Sequence, residues 1–319
     1  MKHTWFFVFL LSSSLINPLR ASAQQSRAEA LLQDMSKAVQ TLDYELGFIN
    51  LEQRLIVPLR YRHAIIDGQS IAQIMQMDGS RREIIQRGTQ ISYYEPGLDS
   101  FSIHGTHIID YLPPIIFADF AKLQKFYRFI DVGSTHVGDH PVSFVRIISK
   151  DESRYNYNLL IDDKTHLPLW IDLLDRDNTT VVEQFRVVSS TVNEHIKTEL
   201  SAITDFKLPP MLLIPPSDKL AFNWLVGREP DGFKEISRNS RKLSETEWLQ
   251  SIMYSDGLFS FSVNVMNSNK NVVDKQLLRQ GRRTVYTLAR GKNSITIIGE
   301  LPFATAEQIA ASVTFTGEN

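Results

Sequence analysis

A mainly antiparallel α+β fold is predicted for this 319-residue chain by three features. Apolar residues alternate at period two over most of its length. Short turn signals such as Asp67-Gly68 separate the alternating runs, and only a few segments carry helical spacing. Strands joined by two-residue turns pair antiparallel, whereas parallel strands need long crossovers.

The elements follow in order. Residues 25–41 read as a helix, with Ala28, Leu31, Leu32, Met35, Val39 and Leu42 on one side. From Tyr44 the period becomes two: Tyr44, Leu46 and Phe48, then Leu59, Tyr61, His63 and Ile65. Turns are expected at Asp67-Gly68, Asp78-Gly79, Gly88-Thr89, Pro96-Gly97 and Gly105-Thr106. Pro113-Pro114 opens a second helical run, with Ile116, Phe120, Leu123 and Tyr127 on one face. Strand patterns return at 142–149, 156–161, 169–174 and 181–188. The result is a long curved sheet covered by two helices.

Residues 207–217 hold two proline pairs, which fix backbone angles and remove amide donors, as in an interdomain linker. The apolar residues 211–214 between them are expected to dock on a domain or a partner. A second unit, 218–319, carries strand patterns at 258–265, 283–289 and 294–299. A last helix is expected near Thr305, with Thr305 and Gln308 as a capping box.

The N-terminus carries Lys2, an apolar run at 5–11 and Ala21-Ser-Ala23, so 1–23 read as a cleavable export signal. The run is too short to span a bilayer, which takes about 20 apolar residues. The mature chain, 24–206 plus linker and second unit, is thus expected to be exported and soluble. It contains no cysteine, hence no disulfide framework and no thiol nucleophile. Without Lys2 and Arg20 the balance is 32 basic to 36 acidic residues, which argues against a nucleic-acid binder. The part from Asp218 onward leans slightly basic, with 13 basic to 11 acidic residues, which weakly favours an acidic partner.

No Gly-x-Ser-x-Gly elbow, His-Glu-x-x-His helix or phosphate loop is present. His104/His107 and His136/His140 approach metal-ligand spacing but flank turns, so no metal and no cofactor is expected. Asp151-Glu152, Asp162-Asp163 and Asp175/Asp177 fall at turns, where carboxylates cap backbone amides. The chain is therefore expected not to be an enzyme. A concave sheet with few covering helices leaves room for an apolar ligand. Tyr44, Leu46, Phe48, Tyr61, Tyr93, Phe101, Ile115, Phe117, Phe120 and Trp170 are candidate lipid-pocket residues; the alternative is that they are ordinary core. Arg81, Arg82 and Arg87 flank or occupy a hairpin strand between Asp78-Gly79 and Gly88-Thr89, and form a candidate anion patch for lipid phosphates.

Several long runs in fixed order carry a resemblance. They are LRYRHAIIDGQSIAQIMQMDGSRREIIQRGTQISYYEPG (59–97), LPLWIDLLDRD (167–177), EQFRV (183–187), YSDGLFSFSVNV (254–265), GRRTVYT (281–287) and ITIIGELP (295–302). The chain resembles the periplasmic regulators of the envelope-stress sigma-E pathway, of the RseB/MucB type, along its whole length. One departure is the loop from Trp224 to Phe233, which lacks the family's Trp-x-Pro-x-Gly-Phe-like entry and is expected to differ locally. The resemblance implies an N-terminal unclosed β-barrel like the lipoprotein carriers, with helices in its mouth, and a smaller C-terminal α+β domain. It implies binding to the periplasmic domain of a single-pass anti-sigma-E factor and protection of that factor from the first protease of its cascade. Release would follow binding of lipopolysaccharide or another amphiphilic lipid, with a possible homo-oligomer. On that reading, acyl chains enter the first domain, and the linker and second domain hold the anti-sigma segment, with Met211, Leu212, Leu213, Arg282 and Arg283 as partner-binding candidates. A lipid or lipoprotein carrier is the alternative reading, and an envelope hydrolase ranks third.

Overall fold

The computed structural model describes residues 18–52, 55–213, 217–218, 221–267 and 275–316. Residues 1–17 of the expected export signal and 214–216 of the expected linker lie outside them. Helix α1, Pro18–Thr41, is followed by strands β1 (Tyr44–Glu52), β2 (Leu55–Ile66), β3 (Gln69–Gln76), β4 (Glu83–Arg87), β5 (Gln90–Tyr94) and β6 (Phe101–His104). A 3-10 turn, Pro114–Phe117, and the one-turn helix α2, Phe120–Leu123, lead into β7 (Tyr127–Val137) and β8 (His140–Ser149). Then come β9 (Asn156–Asp162), β10 (Pro168–Leu174), β11 (Val181–Val192) and helix α3 (His195–Ser201).

All eleven strands form one antiparallel sheet, in the order β6-β5-β4-β3-β2-β1-β11-β10-β9-β8-β7. The end strands β6 and β7 do not pair with each other, so the sheet curls without closing. Its tight turns follow the local chemistry: Asp67 and Gly68 both take positive φ, as a two-residue hairpin with right-handed strand twist requires. On α1, Ala28, Leu32, Met35 and Val39 are buried at helical spacing. That stripe lies on the concave face, where α1 packs on β7, β2, α2 and the 3-10 turn. Helix α3, which periodicity did not reveal, covers the opposite face through Ile196 and Leu200 against Ala64 and Ile71.

The second unit contains β12 (Trp224–Val226), β13 (Lys234–Lys242), β14 (Trp248–Ser255), β15 (Ser260–Asn267), β16 (Lys275–Gln280), β17 (Arg283–Arg290), β18 (Asn293–Gly299), helix α4 (Phe303–Ser312) and β19 (Val313–Phe315). Six of these strands make a sheet in the order β13-β14-β15-β18-β17-β16, and β12 pairs with β19. Ala306, Ile309 and Ala310 of α4 are buried, and the helix packs on β17 and β18. The architecture is thus mainly antiparallel, a large open sheet plus a smaller α+β unit, as the sequence predicts.

Two local expectations need correction. The helical run after Pro113 is two separate turns, and Tyr127 already belongs to β7. Ala118 and the Asp119 cap between the turns are extended, so the apolar spacing crosses a break. Helix α4 starts at Phe303 rather than Thr305, so there is no capping box; the Thr305 hydroxyl instead donates to the Ser153 carbonyl at 2.9 Å.

Gly299 sits opposite Phe261 on β15 and Thr284 on β17. A Cβ there would fall on the backbone of Phe261 and Ser260, which cannot move without parting the strands. Gly299→Ala should therefore cost about 2 kcal/mol, in the range of other overpacking changes, read as a lowered urea midpoint. An unchanged midpoint would contradict this packing.

Candidate functional site: the concave face and the junction between the sheets

One transverse row on the concave face runs Phe101–Tyr93–Ile84–Ile74–Tyr61–Leu46, each residue opposite the next. Tyr44 and Phe48 flank Leu46 on the same face of β1. Tyr44, Leu46, Phe48, Tyr61, Ile115 and Phe120 are essentially inaccessible, and Tyr93 and Phe117 pack against the same cluster. Tyr44 meets Tyr61 edge-on at 5.7 Å, and Phe101 stacks on Tyr93 at 5.0 Å. Burial pushes the Tyr44 and Tyr61 hydroxyls far above the usual phenol range, and the Tyr44 hydroxyl donates to the Val39 carbonyl at 3.1 Å. Nine of the ten pocket candidates therefore come together, but as packed side chains beneath α1 and the turn that follows β6.

Trp170 is the exception. Ile171 faces inward opposite Phe185, so Trp170 points outward and is 36% exposed. The Arg186 guanidinium lies 3.3 Å from its ring centroid, and its indole N–H donates to Asp172 at 3.0 Å.

The three arginines of the candidate anion patch do not converge. Arg81 pairs with Glu83 at 3.1 Å. Arg82 donates to the Tyr111 hydroxyl at 2.9 Å and lies 3.4 Å from Glu95. Arg87, at the far end of β4, donates to the carbonyls of Ile203, Thr204 and Phe206.

The partner-binding candidates fall in two places. The Ser102 amide donates to the Pro210 carbonyl and the Leu212 amide to the Ser102 carbonyl, so Met211 lies as a parallel bridge on the edge of β6. Leu212 and Leu213 remain outside, Leu213 at 89% exposure. Arg282 and Arg283 instead line a crevice of about 270 Å³ between the sheets, with Asn50, Asp110, Tyr111 and Glu183. Arg283 is exposed. Arg282 is not free: its guanidinium meets Glu300 at 2.6 Å and Glu183 at 3.2 Å, and its amide donates to Glu183 at 2.8 Å. Burial opposes its charge, but the two carboxylates outweigh it and raise its pKa.

The junction centres on Arg154, between β8 and β9. Its side chain and that of Asp256, in the turn after β14, are both 0% exposed. The Arg154 Nε–H donates to Asp256 at 2.7 Å, one terminal nitrogen lies 3.1 Å from both Asp151 oxygens, and the other donates to the Asp231 carbonyl. The rings of Phe233 and Phe126 lie 4.7 and 5.3 Å from the guanidinium carbon. Gly232, at φ +88, brings the 227–233 loop against Phe126 without a side chain in the way. Beside this hub the Tyr155 hydroxyl lies 2.7 Å from the Leu301 carbonyl and 3.0 Å from that of Arg282. Tyr157 stacks on Phe259 with ring centroids 5.9 Å apart. Arg279 meets Asp175 at 2.9 Å.

None of this was read from the sequence. Asp256 lies inside the run at 254–265 that carries the family resemblance, but its partner is about a hundred residues away. Removing one member of a buried ion pair costs about 3–5 kcal/mol, because the other charge stays desolvated. Arg154→Met should lower stability by that amount in urea unfolding, and Arg154→Met with Asp256→Asn should recover part of it. Equal losses in the single and double variants would mean that the buried charge is not the cause.

The histidines do not converge with other ligands, and among the described residues no group of three His, Asp or Glu could hold a metal. His107 stacks on Phe117 at 4.4 Å, and His140 Nδ1 lies 2.8 Å from Asp162. The acidic turns cap amides: Asp162 accepts from Lys164 and Thr165, and Asp177 from Thr179 and Thr180. Burial works against the Asp162 charge, but hydrogen bonds from Thr165, His140 and Lys164 prevail and hold its pKa below the usual range. A depressed carboxylate stabilises the fold above about pH 3.9, the unperturbed aspartate value. That contribution is lost as pH falls through the folded value. Asp162→Asn should therefore flatten the acid limb of stability against pH, measured by urea unfolding from pH 5 to 3; an unaltered slope would contradict this.

The comparisons with known proteins follow the same two-part layout. The MucB/RseB N-terminal domain matches residues 27–212 and the MucB/RseB C-terminal domain residues 218–314. The chain is 46% identical to the sigma-E factor regulatory protein RseB of Salmonella typhimurium, over 99% of both chains. It is 34% identical to that of Haemophilus influenzae, over 96% of both. A solved MucA/MucB complex of Pseudomonas aeruginosa contains a chain of the same fold, with TM-score 0.70 and 21% identity, covering 92% of this chain and all of that one. With both domains matched in order and nearly half of all residues shared across the full length, the chain belongs to the MucB/RseB family.

Proposed function

We infer that this protein is a periplasmic negative regulator of the envelope-stress response, exported by cleavage after Ala23. It binds the periplasmic domain of a single-pass anti-sigma-E factor and shields it from the first protease of the cascade. Lipopolysaccharide or a related amphiphile releases it. The observation that carries this reading is the full-length match, across both domains, to relatives named as sigma-E factor regulatory proteins. The solved MucA/MucB complex supports a protein partner for the fold. The exposed Leu212 and Leu213 and the crevice holding Arg283 are the surfaces proposed for that partner, one apolar and one cationic.

The carrier reading is weaker for a physical reason. A carrier needs an open apolar cavity, whereas Tyr44, Leu46, Phe48, Tyr61 and Phe120 pack together, buried, at the centre of the concave face. Nor does a binding regulator need catalytic groups, and none is proposed.

Proteolysis of the anti-sigma periplasmic segment by its membrane-anchored protease tests the function. Cleavage should slow at least tenfold when this protein is added in excess, and lipopolysaccharide should restore it. Unchanged cleavage would remove the reading. Protection that lipid does not relieve would remove the release step.

A further inference from the structure

The concave face is not filled everywhere. An eleven-stranded sheet is wider than one helix, and α1 leans toward β7 and β2. At one end this leaves a cavity of about 680 Å³ between the last turns of α1 and the ends of β8, β9, β10 and β11. That volume suits a small amphiphile. Its inner wall is apolar: Ala38 and Leu42 from α1 and its exit, and Val192 from β11. Val192 lies opposite Tyr44, so it belongs to the concave face, yet it is 44% exposed.

Two lysines stand on the rim. Lys37 and Lys164 both line the cavity, and among the described residues neither has an ion-pair partner. His140 and His166 stand beside them. The Nδ1–H of His140 is directed at the Asp162 carboxylate at 2.8 Å, which fixes the ring and turns Nε2 away from that carboxylate. His166 is held in a left-handed turn at φ +58, and its Nδ1 is buried with no hydrogen-bond partner. Two carboxylates share the rim. Asp162 is already occupied by the Lys164 and Thr165 amides, the Thr165 hydroxyl and His140. Asp34, one turn before Lys37, is exposed and offsets one lysine only in part.

We propose that this gap binds an amphiphile with a phosphate headgroup, its chain against Ala38, Leu42 and Val192 and its phosphate between Lys37 and Lys164. The proposal rests on the lipid-release reading above and supplies the site that reading lacks. Phosphate accepts charge-assisted hydrogen bonds from lysine, which are the strong kind. The apolar wall sets a phospholipid-like ligand apart from free phosphate.

Calorimetric titration of the protein alone tests this, with dodecyl phosphate below its micelle-forming concentration as the probe. Dodecyl maltoside and inorganic phosphate serve as comparisons. Dodecyl phosphate should bind at least tenfold more tightly than either. Lys37→Glu with Lys164→Glu should weaken it at least tenfold while leaving the thermal midpoint unchanged, because both side chains are exposed. Val192→Glu should weaken it through the apolar wall. Equal binding by the doubly reversed variant would overturn the site, and inorganic phosphate binding as tightly as dodecyl phosphate would overturn its amphiphile specificity. The anti-sigma partner is absent from the titration, so its outcome is separate from whether lipid releases that partner.

Discussion

The relation between the two sheets depends on one desolvated cation. Arg154 and Asp256 come from different sheets and both are fully buried. A guanidinium removed from water costs several kcal/mol unless its donors are matched. Here Asp256, Asp151 and the Asp231 carbonyl take them, and Phe126 and Phe233 cover the faces. Only the docked arrangement supplies all of these together. A slipped or rotated second sheet would leave a buried charge with half its partners, so the contact selects one orientation more than it adds net stability. The outer ties, Arg282 to Glu183 and Arg279 to Asp175, are less buried and serve the same register.

A second constraint is width. A single amphipathic helix covers a stripe about 10 Å across, too little for the concave face of so many strands. The polypeptide after β6 supplies Ile115, Ile116, Phe117 and Phe120 to cover more of it, and large aromatic residues fill the centre. What remains uncovered lies at the end where α1 stops and Val192 emerges. The same shortage of covering structure leaves one end of the concave face open while its centre is packed.

Much of this was legible because period two is a strong signal where only one face is buried. Tyr44, Leu46, Phe48, Tyr61, Tyr93 and Phe101 all fall on the concave face as alternation predicts. Trp170 departs because its ring is apolar while its position is outward: Leu169, Ile171 and Leu173 are buried, and Asp172, two residues on, marks the exposed face. The helix expected after Pro113 failed because an apolar spacing of three and four survives a chain break that only the Asp119 cap reveals. The junction was illegible for a different reason. Arg154 and Asp256 look like ordinary turn residues locally, and their pairing is a tertiary fact. The three arginines at 81, 82 and 87 show the converse, being close in sequence yet engaged at different ends of a strand.

Strand β9 orders these sites in space. Arg154 and Tyr155 precede it at the junction, and Asp162 closes it at the cavity beside the end of α1. Its seven residues span roughly 20 Å. On the proposed function, a ligand in that cavity and a partner contact at the interdomain crevice, where Arg282 and Arg283 lie, would occupy separate places. Any effect of one on the other must come from differential affinity for two arrangements of the protein. The elements that could differ are those bordering both a gap and a packed interior, and α1 is the foremost. Its stripe seals Tyr44 and Phe120 from solvent, while its last turns form a wall of the cavity. A shift of α1 to admit a chain would loosen the covering of β7, which runs on to the Phe126–Arg154 contact through Tyr127. On the proposed function, the packing of this single helix would join the lipid gap at one end of the sheet to the partner contact at the other.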